Sequence, residues 1–310
     1  GGAGFIGSHL CEEIFFSDIN SKIYILDKLT YAGNITYLKK IIYSKRVKFI
    51  KGDIADSSKY IKYLSNCNVA INVAAESHVD NSFQTPIPFT ITNTLGAHIF
   101  IQNCINQKVN KIIHISSDEV YGEKVRGKSK EEDILNPTNP YSASKAAAEI
   151  IINSYKFAYK DEIIIVRANN VYGIRQYPEK LISNCIVNLI RNKPIKLHGD
   201  GSNSRFYLSA IDFAKAVYLL SKKKKNGIYN IGSKYEYKNL EIAKILCDHF
   251  NKSYKKFINF VTDRPYNDKR YSVLFNKIQK LGWAAKSKLI DDIPYIINWY
   301  KKNYQIFKKC

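Results

Sequence analysis

Short runs of β-branched and aliphatic residues at 22–26, 47–50, 69–73, 111–116 and 162–167 alternate with longer stretches in which apolar positions recur at helical spacing. Runs of that length with few polar interruptions read as strands buried on both faces, and the stretches 57–65, 93–106 and 141–159 have the length and period of amphipathic helices. A strict strand–helix rhythm predicts a parallel sheet covered by helices on both sides, because only a crossover helix can join parallel neighbours. The expected architecture is therefore α/β: a doubly wound parallel sheet over residues 1–170. Beyond 170 the rhythm loosens. Pro178, Pro194, Gly199-Asp200-Gly201 and Asp263-Arg264-Pro265 punctuate helical stretches such as 240–250 and 290–303. That pattern predicts a smaller C-terminal lobe over 171–310, with some segments returning to the first domain.

The glycines at 1, 4 and 7 form a G-x-x-G-x-x-G loop opening the first helical stretch. Glycines there allow a tight turn and let a pyrophosphate reach the backbone N–H groups at a helix N-terminus, where the dipole favours anions. Asp27 closes the apolar run Ile23-Tyr24-Ile25-Leu26. A carboxylate at that strand end accepts hydrogen bonds from ribose hydroxyls and repels a 2′-phosphate, so the loop reads as an NAD site on a Rossmann-type fold. Gly52-Asp53-Ile54 and Ala74-Ala75 follow later strands, where they would contact adenine and let the chain pass close to the cofactor. Such a loop normally follows a central strand, so a further strand is expected upstream of Gly1.

Tyr141 and Lys145 are four residues apart, hence one turn apart on the same helical face. A free phenol titrates near 10, and bringing it toward neutrality takes about 4 kcal/mol of preferential phenolate stabilisation, which a neighbouring ammonium and a cationic nicotinamide can share. Upstream, Ser117-Asp118-Glu119 ends another apolar run. The hydroxyl of Ser117 suits a sugar oxygen that Tyr141 would deprotonate. Asp118 and Glu119 exceed the needs of a plain dehydrogenase, since paired carboxylates offer an acid and a base when their surroundings push their pKa values apart.

With these motifs the chain resembles the nucleoside-diphosphate-glucose 4,6-dehydratases, extended short-chain dehydrogenases. The likeness runs from the glycine loop through 26–34, 74–80, the Ser-Asp-Glu-Val-Tyr-Gly segment and the Tyr141/Lys145 pair to 169–173, 177–182, 198–201, 229–232 and 263–271. The resemblance implies that Tyr141 takes the C4 hydroxyl proton while hydride passes to NAD, supported by Ser117 and Lys145. It further implies that Glu119 removes the C5 proton, that Asp118 protonates the departing C6 hydroxyl, and that hydride returns to C6. The expected NAD set is Gly1, Gly4, Phe5, Ile6, Gly7, Asp27, Lys28, Thr30, Asp53, Ile54, Ala74, Ala75, Thr92, Tyr141 and Lys145. The expected contacts to nucleoside-diphosphate glucose are Ser77, Asn170, Lys180, Leu181, Arg205, Asn230, Arg264 and Asn267. Ser117 replaces the family's usual threonine, and Asn267 stands where bacterial dTDP-glucose enzymes carry histidine, which leaves dTDP and UDP both open. The resemblance also implies a homodimer through the helices carrying Asn93 and Tyr141.

Composition narrows the rest. The net charge of +21 could mark a nucleic-acid binder, yet forty of the 48 basic residues are lysines spread along the chain, and the dense run 222–225 reads as a solvated helix end. A basic nucleic-acid-binding protein on this fold, and a 4-epimerase or decarboxylase, stand as the alternatives; neither nucleic acid nor a membrane is an expected partner. No apolar run reaches the roughly 18 to 20 residues that cross a bilayer. The six cysteines lack C-x-x-C spacing, which points to reduced thiols in the cytoplasm and to no metal site. His98 and His114 read as helix-face or core residues.

Overall fold

The computed structural model describes residues 1–159 and 162–308, so Cys310 lies outside the described residues. The strands are β1 (Ile23–Asp27), β2 (Val47–Lys51), β3 (Val69–Asn72), β4 (Lys111–Ser117), β5 (Glu162–Ala168), β6 (Asn170–Tyr172), β7 (Ile195–His198), β8 (Ser204–Ser209), β9 (Gly227–Ile231), β10 (Glu236–Lys238) and β11 (Ile258–Val261). The principal sheet has the order β3-β4-β5-β9, and all its pairings are parallel. β1 and β2 form a separate parallel pair. Helices cover both faces of this layer, so the architecture is the doubly wound α/β fold of the Rossmann type. Its central strands explain why: β4 is buried at every residue and β5 at all but its first, so each must be covered on both sides.

β1 and β3 face one another across a cavity of about 580 Å³ lined by residues of both strands. Among the described residues neither strand has a sheet partner on that side.

Segments from the second half of the chain complete the first layer. β9 pairs with β5, and the helix Ala210–Lys222 packs on the helix Phe5–Ser17. The C-terminal lobe has its own core, in which the helices Leu181–Ile190, Asn239–His249 and Leu289–Lys302 pack around the parallel pair β7 and β11. Tyr172 fixes β6 to this lobe, its hydroxyl donating to Asp292 at 2.7 Å.

Two expected helices differ in form. The stretch 57–65 is a 3-10 turn, Ser57–Lys59, and a single turn, Ile61–Leu64. The two are separated at Tyr60, whose backbone (φ −127°, ψ −16°) departs from helical values while its hydroxyl donates to the Ile54 carbonyl at 2.7 Å. The helix Ala97–Asn106 is preceded by a π-helical stretch, Thr90–Gly96. There the Asn93 side chain leaves its own helix to bond the backbone N–H and carbonyl of Glu76, each at 2.9 Å. Helix geometry is set by these long-range bonds, which local periodicity does not encode.

One buried ion pair ties the helix Pro140–Ala158 to the sheet. Arg167 of β5 donates to both carboxylate oxygens of Glu149, at 2.6 Å from Nη2, and both residues are almost fully buried. Its guanidinium also lies 4.5 Å from the Tyr121 ring centre, beneath the turn that follows β4. Removing one partner strands the other charge, so Glu149→Ala is expected to cost about 3–5 kcal/mol in chemical denaturation. Glu149→Ala combined with Arg167→Met should recover most of that loss.

Candidate active site

The chain leaves the sheet at the C-terminal end of β4, and the residues that emerge are Ser117, Asp118 and Glu119. They enter a 3-10 turn, Asp118–Tyr121, because the Ser117 hydroxyl oxygen accepts the Glu119 N–H at 3.2 Å. Val120 is wholly buried, and the Tyr121 hydroxyl donates to Asn230 at 2.8 Å, so the turn is held from below. It must end at Gly122, whose φ is +72° and where a Cβ would lie 2.2 Å from the Asn136 carbonyl oxygen. No other residue fits that position without moving the turn.

The helix Pro140–Ala158 begins beside this turn. Asn139 caps it by accepting the Ser142 N–H at 2.9 Å, while the Ser142 hydroxyl closes a capping box and Pro140 occupies the first turn, where no N–H is needed. Tyr141 therefore stands at the helix mouth, edge-on to Phe89 with ring centres 6.4 Å apart. The Asn139 amide also donates to Glu119 Oε2 at 3.3 Å, linking cap and carboxylate. Lys145 follows one turn later, with its ammonium donating to the Ile115 carbonyl of β4 at 2.8 Å.

A cavity of about 280 Å³ joins this corner to the glycine loop. Gly1, Gly4, Phe5, Ile6, Gly7, Asp27, Lys28, Thr30, Asp53, Ile54, Ala74, Ala75 and Thr92 line it together with Ser117, Asp118, Glu119, Tyr141 and Lys145. The loop fits a dinucleotide: the helix Phe5–Ser17 has no side-chain cap and no acid in its first turn, so its open N–H groups face an anion without competition. Gly7 packs so tightly that a Cβ would fall 2.0 Å from the Gly1 carbonyl oxygen. Asp27 is fixed by the N–H groups of Ala3 at 2.9 Å and Leu29 at 2.7 Å, which leaves lone pairs for ribose hydroxyls. Lys28 and Asp53 pair at 2.7 Å beside it.

A second cavity, about 650 Å³, lies between the sheet edge and the C-terminal lobe. Leu181, Arg205, Arg264 and Asn267 line it; Asn170 and Lys180 line both cavities, as does Glu119; and Ser77 lines the first. Asn230 is a correction. It is fully buried, donating to the carbonyls of Ser129 at 3.2 Å and Leu274 at 3.0 Å, and it borders neither cavity. The sequence pattern placed it beside Gly232 without revealing that β9 turns its side chain inward. Other residues were assigned no role from sequence. Asp80 pairs with Arg264 at 2.9 Å and lies near His78 and His198, and all four line the second cavity. Asn139 and Asn169 each hold one of the paired acids.

Burial raises the Asp118 carboxyl to about 7, the Glu119 charge adding to the effect while hydrogen bonds from Asn169 and Ser117 and the charge of Arg205 oppose it. It therefore carries a proton near neutrality. Burial, followed by the charges of Glu119 and Asp118, also pushes the Tyr141 phenol above its ordinary value, with only the Ser117 hydroxyl working in the other direction. The expectation that Lys145 draws the phenol toward neutrality is not met by the chain alone, because its ammonium is turned to Ile115. Burial brings that lysine down to about 8.

The Asp118 shift makes stability depend on pH. The folded protein holds this proton to about pH 7, whereas the unfolded chain releases it near pH 4, so stability falls as pH rises between those values and stays reduced above them. Asp118→Asn is expected to raise stability at pH 8 by on the order of 2–4 kcal/mol, to change it little at pH 4, and to abolish turnover. Denaturation midpoints at the two pH values check this.

A family model described as GDP-mannose 4,6 dehydratase matches residues 1–293. A dTDP-D-glucose 4,6-dehydratase of Dictyostelium discoideum is 40% identical, over 98% of this chain and 81% of that protein. A trifunctional UDP-glucose 4,6-dehydratase/epimerase/reductase of Arabidopsis thaliana is 39% identical over 98% of this chain, which spans 46% of that longer protein. The crystal structure of a dTDP-glucose 4,6-dehydratase from Streptomyces venezuelae, with NAD bound, superposes with a TM-score of 0.96 at 34% identity, covering 99% of this chain and 97% of that one. With the paired acids, the Tyr141 helix and the glycine loop converging on one cavity, the chain belongs to the GDP-mannose 4,6 dehydratase family of Rossmann-type enzymes.

Proposed function

We propose that this protein is a hydro-lyase that converts dTDP-glucose or UDP-glucose into the 4-keto-6-deoxy sugar, using tightly held NAD. The observation that carries the reading is that Asp118, near neutrality in its titration, shares one cavity with Glu119, Tyr141 and Ser117. The glycine loop and Asp27 would hold NAD, which would supply a reversible hydride acceptor serving C4 and then C6 of the sugar, so that the net reaction is redox-neutral. Tyr141 takes the C4 hydroxyl proton, and Ser117 donates a hydrogen bond to the same oxygen. Burial raises this phenol, and a bound cationic nicotinamide would supply charge favouring its ionised form. The resulting C4 ketone acidifies the C5 hydrogen. Glu119 removes that proton, Asp118 gives its own to the C6 hydroxyl, and water departs as the C5–C6 double bond forms; when hydride comes back to C6, Glu119 returns a proton to C5, which restores the single bond and leaves the 4-keto-6-deoxy sugar. Each such proton transfer is worth ~10²–10⁴ in rate.

Arg205 and Arg264 would hold the diphosphate, since the guanidinium fork donates two parallel bonds to such a group. Arg264 is already oriented by Asp80, and Arg205 stacks 4.6 Å from the Tyr271 ring centre. Lys180 donates to the Ser77 carbonyl, closing the lobe against the sheet domain beside the sugar position.

The working unit in this reading is a homodimer in the cytoplasm. Ile87, Ile91 and Leu95 are exposed at four-residue spacing, and Ile150 is exposed on the neighbouring helix Pro140–Ala158. These two helical segments pack on each other, and their outward apolar side chains form the kind of patch a second copy covers. The cysteines among the described residues are free, as a reducing compartment keeps them.

Three experiments test the reading. With dTDP-glucose and UDP-glucose deuterated at C4, the label is expected at C6 of a 4-keto product; label retained at C4 of an unchanged or inverted hexose would establish epimerisation instead. Glu119→Gln should lower kcat by ~10²–10⁴. Ile91→Glu combined with Leu95→Glu is expected to convert a dimer into a monomer in analytical ultracentrifugation, and a wild-type protein that sediments as a monomer would refute the dimer.

A further inference from the structure

Asn169 occupies the single position between β5 and β6 and is almost fully buried. Its carboxamide is locked from both ends. Oδ1 accepts the Ser233 N–H at 3.2 Å, and Nδ2 donates to Asp118 Oδ2 at 2.7 Å. The backbone N–H donates to the Ile231 carbonyl at 3.1 Å, so the residue is anchored to the end of β9. Gly232 leaves the room this requires, because a Cβ there would lie 2.5 Å from Asn169 Oδ1. The Ser233 N–H can only donate, so the end of the carboxamide facing Asp118 must be its NH₂. A donor on Oδ2 excludes a proton from that atom's engaged lone pair. Oδ1 receives only the long 3.4 Å contact from the Ser117 hydroxyl, against 2.7 Å from Asn169 on Oδ2, so the less engaged Oδ1 is the favoured seat for the proton of the neutral acid.

We infer that Asn169 is a positioning residue that designates Oδ1 of Asp118 as the atom that carries and releases the catalytic proton. The role rests on Asp118 being the acid of the dehydration. Asn169 also stabilises the carboxylate left after the proton departs, since its N–H₂ group keeps donating to Oδ2. Without that donor the carboxyl would hold its proton to higher pH and present it from either oxygen.

Two variants separate this from a merely structural part. Asn169→Asp keeps the size and an acceptor for the Ser233 N–H, but replaces the donor with a second carboxylate. Asn169→Ala removes both bonds. The Asp118 carboxyl is titrated by ¹³C NMR in enzyme holding NAD and dTDP, its resonance identified by its loss in Asp118→Asn. Its midpoint should rise by about one pH unit in Asn169→Ala and further in Asn169→Asp. In turnover of dTDP-glucose, kcat should fall ~10–10²-fold with KM changed less than about threefold, and the alkaline limb of kcat should move upward with the carboxyl. An unmoved midpoint in both variants, or a rise in KM at unchanged kcat, overturns the proposal. The titration needs no turnover, so a wild-type enzyme that fails to dehydrate either sugar would refute the functional reading while leaving the carboxyl's dependence on Asn169 measurable.

Discussion

The energetic cost of ionising one carboxyl group organises the active corner of this protein. Asp118 sits at the end of a strand buried at each of its residues, and burial is the main reason its proton is retained to about pH 7. A carboxyl in that state can donate a proton that a solvated aspartate would already have lost. The same burial would be destructive without partners, and each one present has a separate origin. Ser117 comes from the strand, Asn169 from the position just after the neighbouring strand β5, and Arg205 from the lobe, the last acting through its charge. Three segments distant in sequence thus hold one titration near neutrality.

Glu119, one residue later, is held in a different way. It is partly exposed, its backbone N–H is taken by Ser117, and its carboxylate meets the amide of Asn139. That amide belongs to the residue whose carbonyl oxygen starts the helix bearing Tyr141 and Lys145. The cap therefore does two jobs: it satisfies a helix N–H and it registers the carboxylate against the phenol. Gly122 and the buried Arg167–Glu149 pair fix the same turn and helix from beneath, so the polar groups at the cavity wall stand on a rigid base.

The cofactor and sugar sides meet this base from opposite directions. The glycine loop offers unpaired N–H groups at the start of a helix, while the lobe brings the arginines, one of them held by Asp80 of the sheet domain. Sheet and lobe are joined near the reacting position by the Lys180–Ser77 bond, and by a contact of Tyr31 with Glu179 at 2.9 Å. Movement of the lobe would alter these contacts together with the placement of the arginines proposed for the diphosphate.

The sequence alone determined what periodicity and spacing can encode. Alternating buried runs predicted a parallel layered sheet, the glycines at 1, 4 and 7 predicted a tight turn into a helix suited to a phosphate, and the four-residue interval between Tyr141 and Lys145 put both on one helical face. It also set the paired acids at a strand end. Tertiary structure alone decided the rest, because those outcomes depend on partners far away in the chain. Asn169 reaches Asp118 across 51 positions, and the Lys145 ammonium turns to Ile115 rather than to the phenol. Asn230, which its motif suggested for the sugar, is drawn inward by carbonyls at 129 and 274. A hydrogen bond carries no periodic trace in sequence, and the desolvation that moves a carboxyl's titration exists only once the surrounding strands have packed.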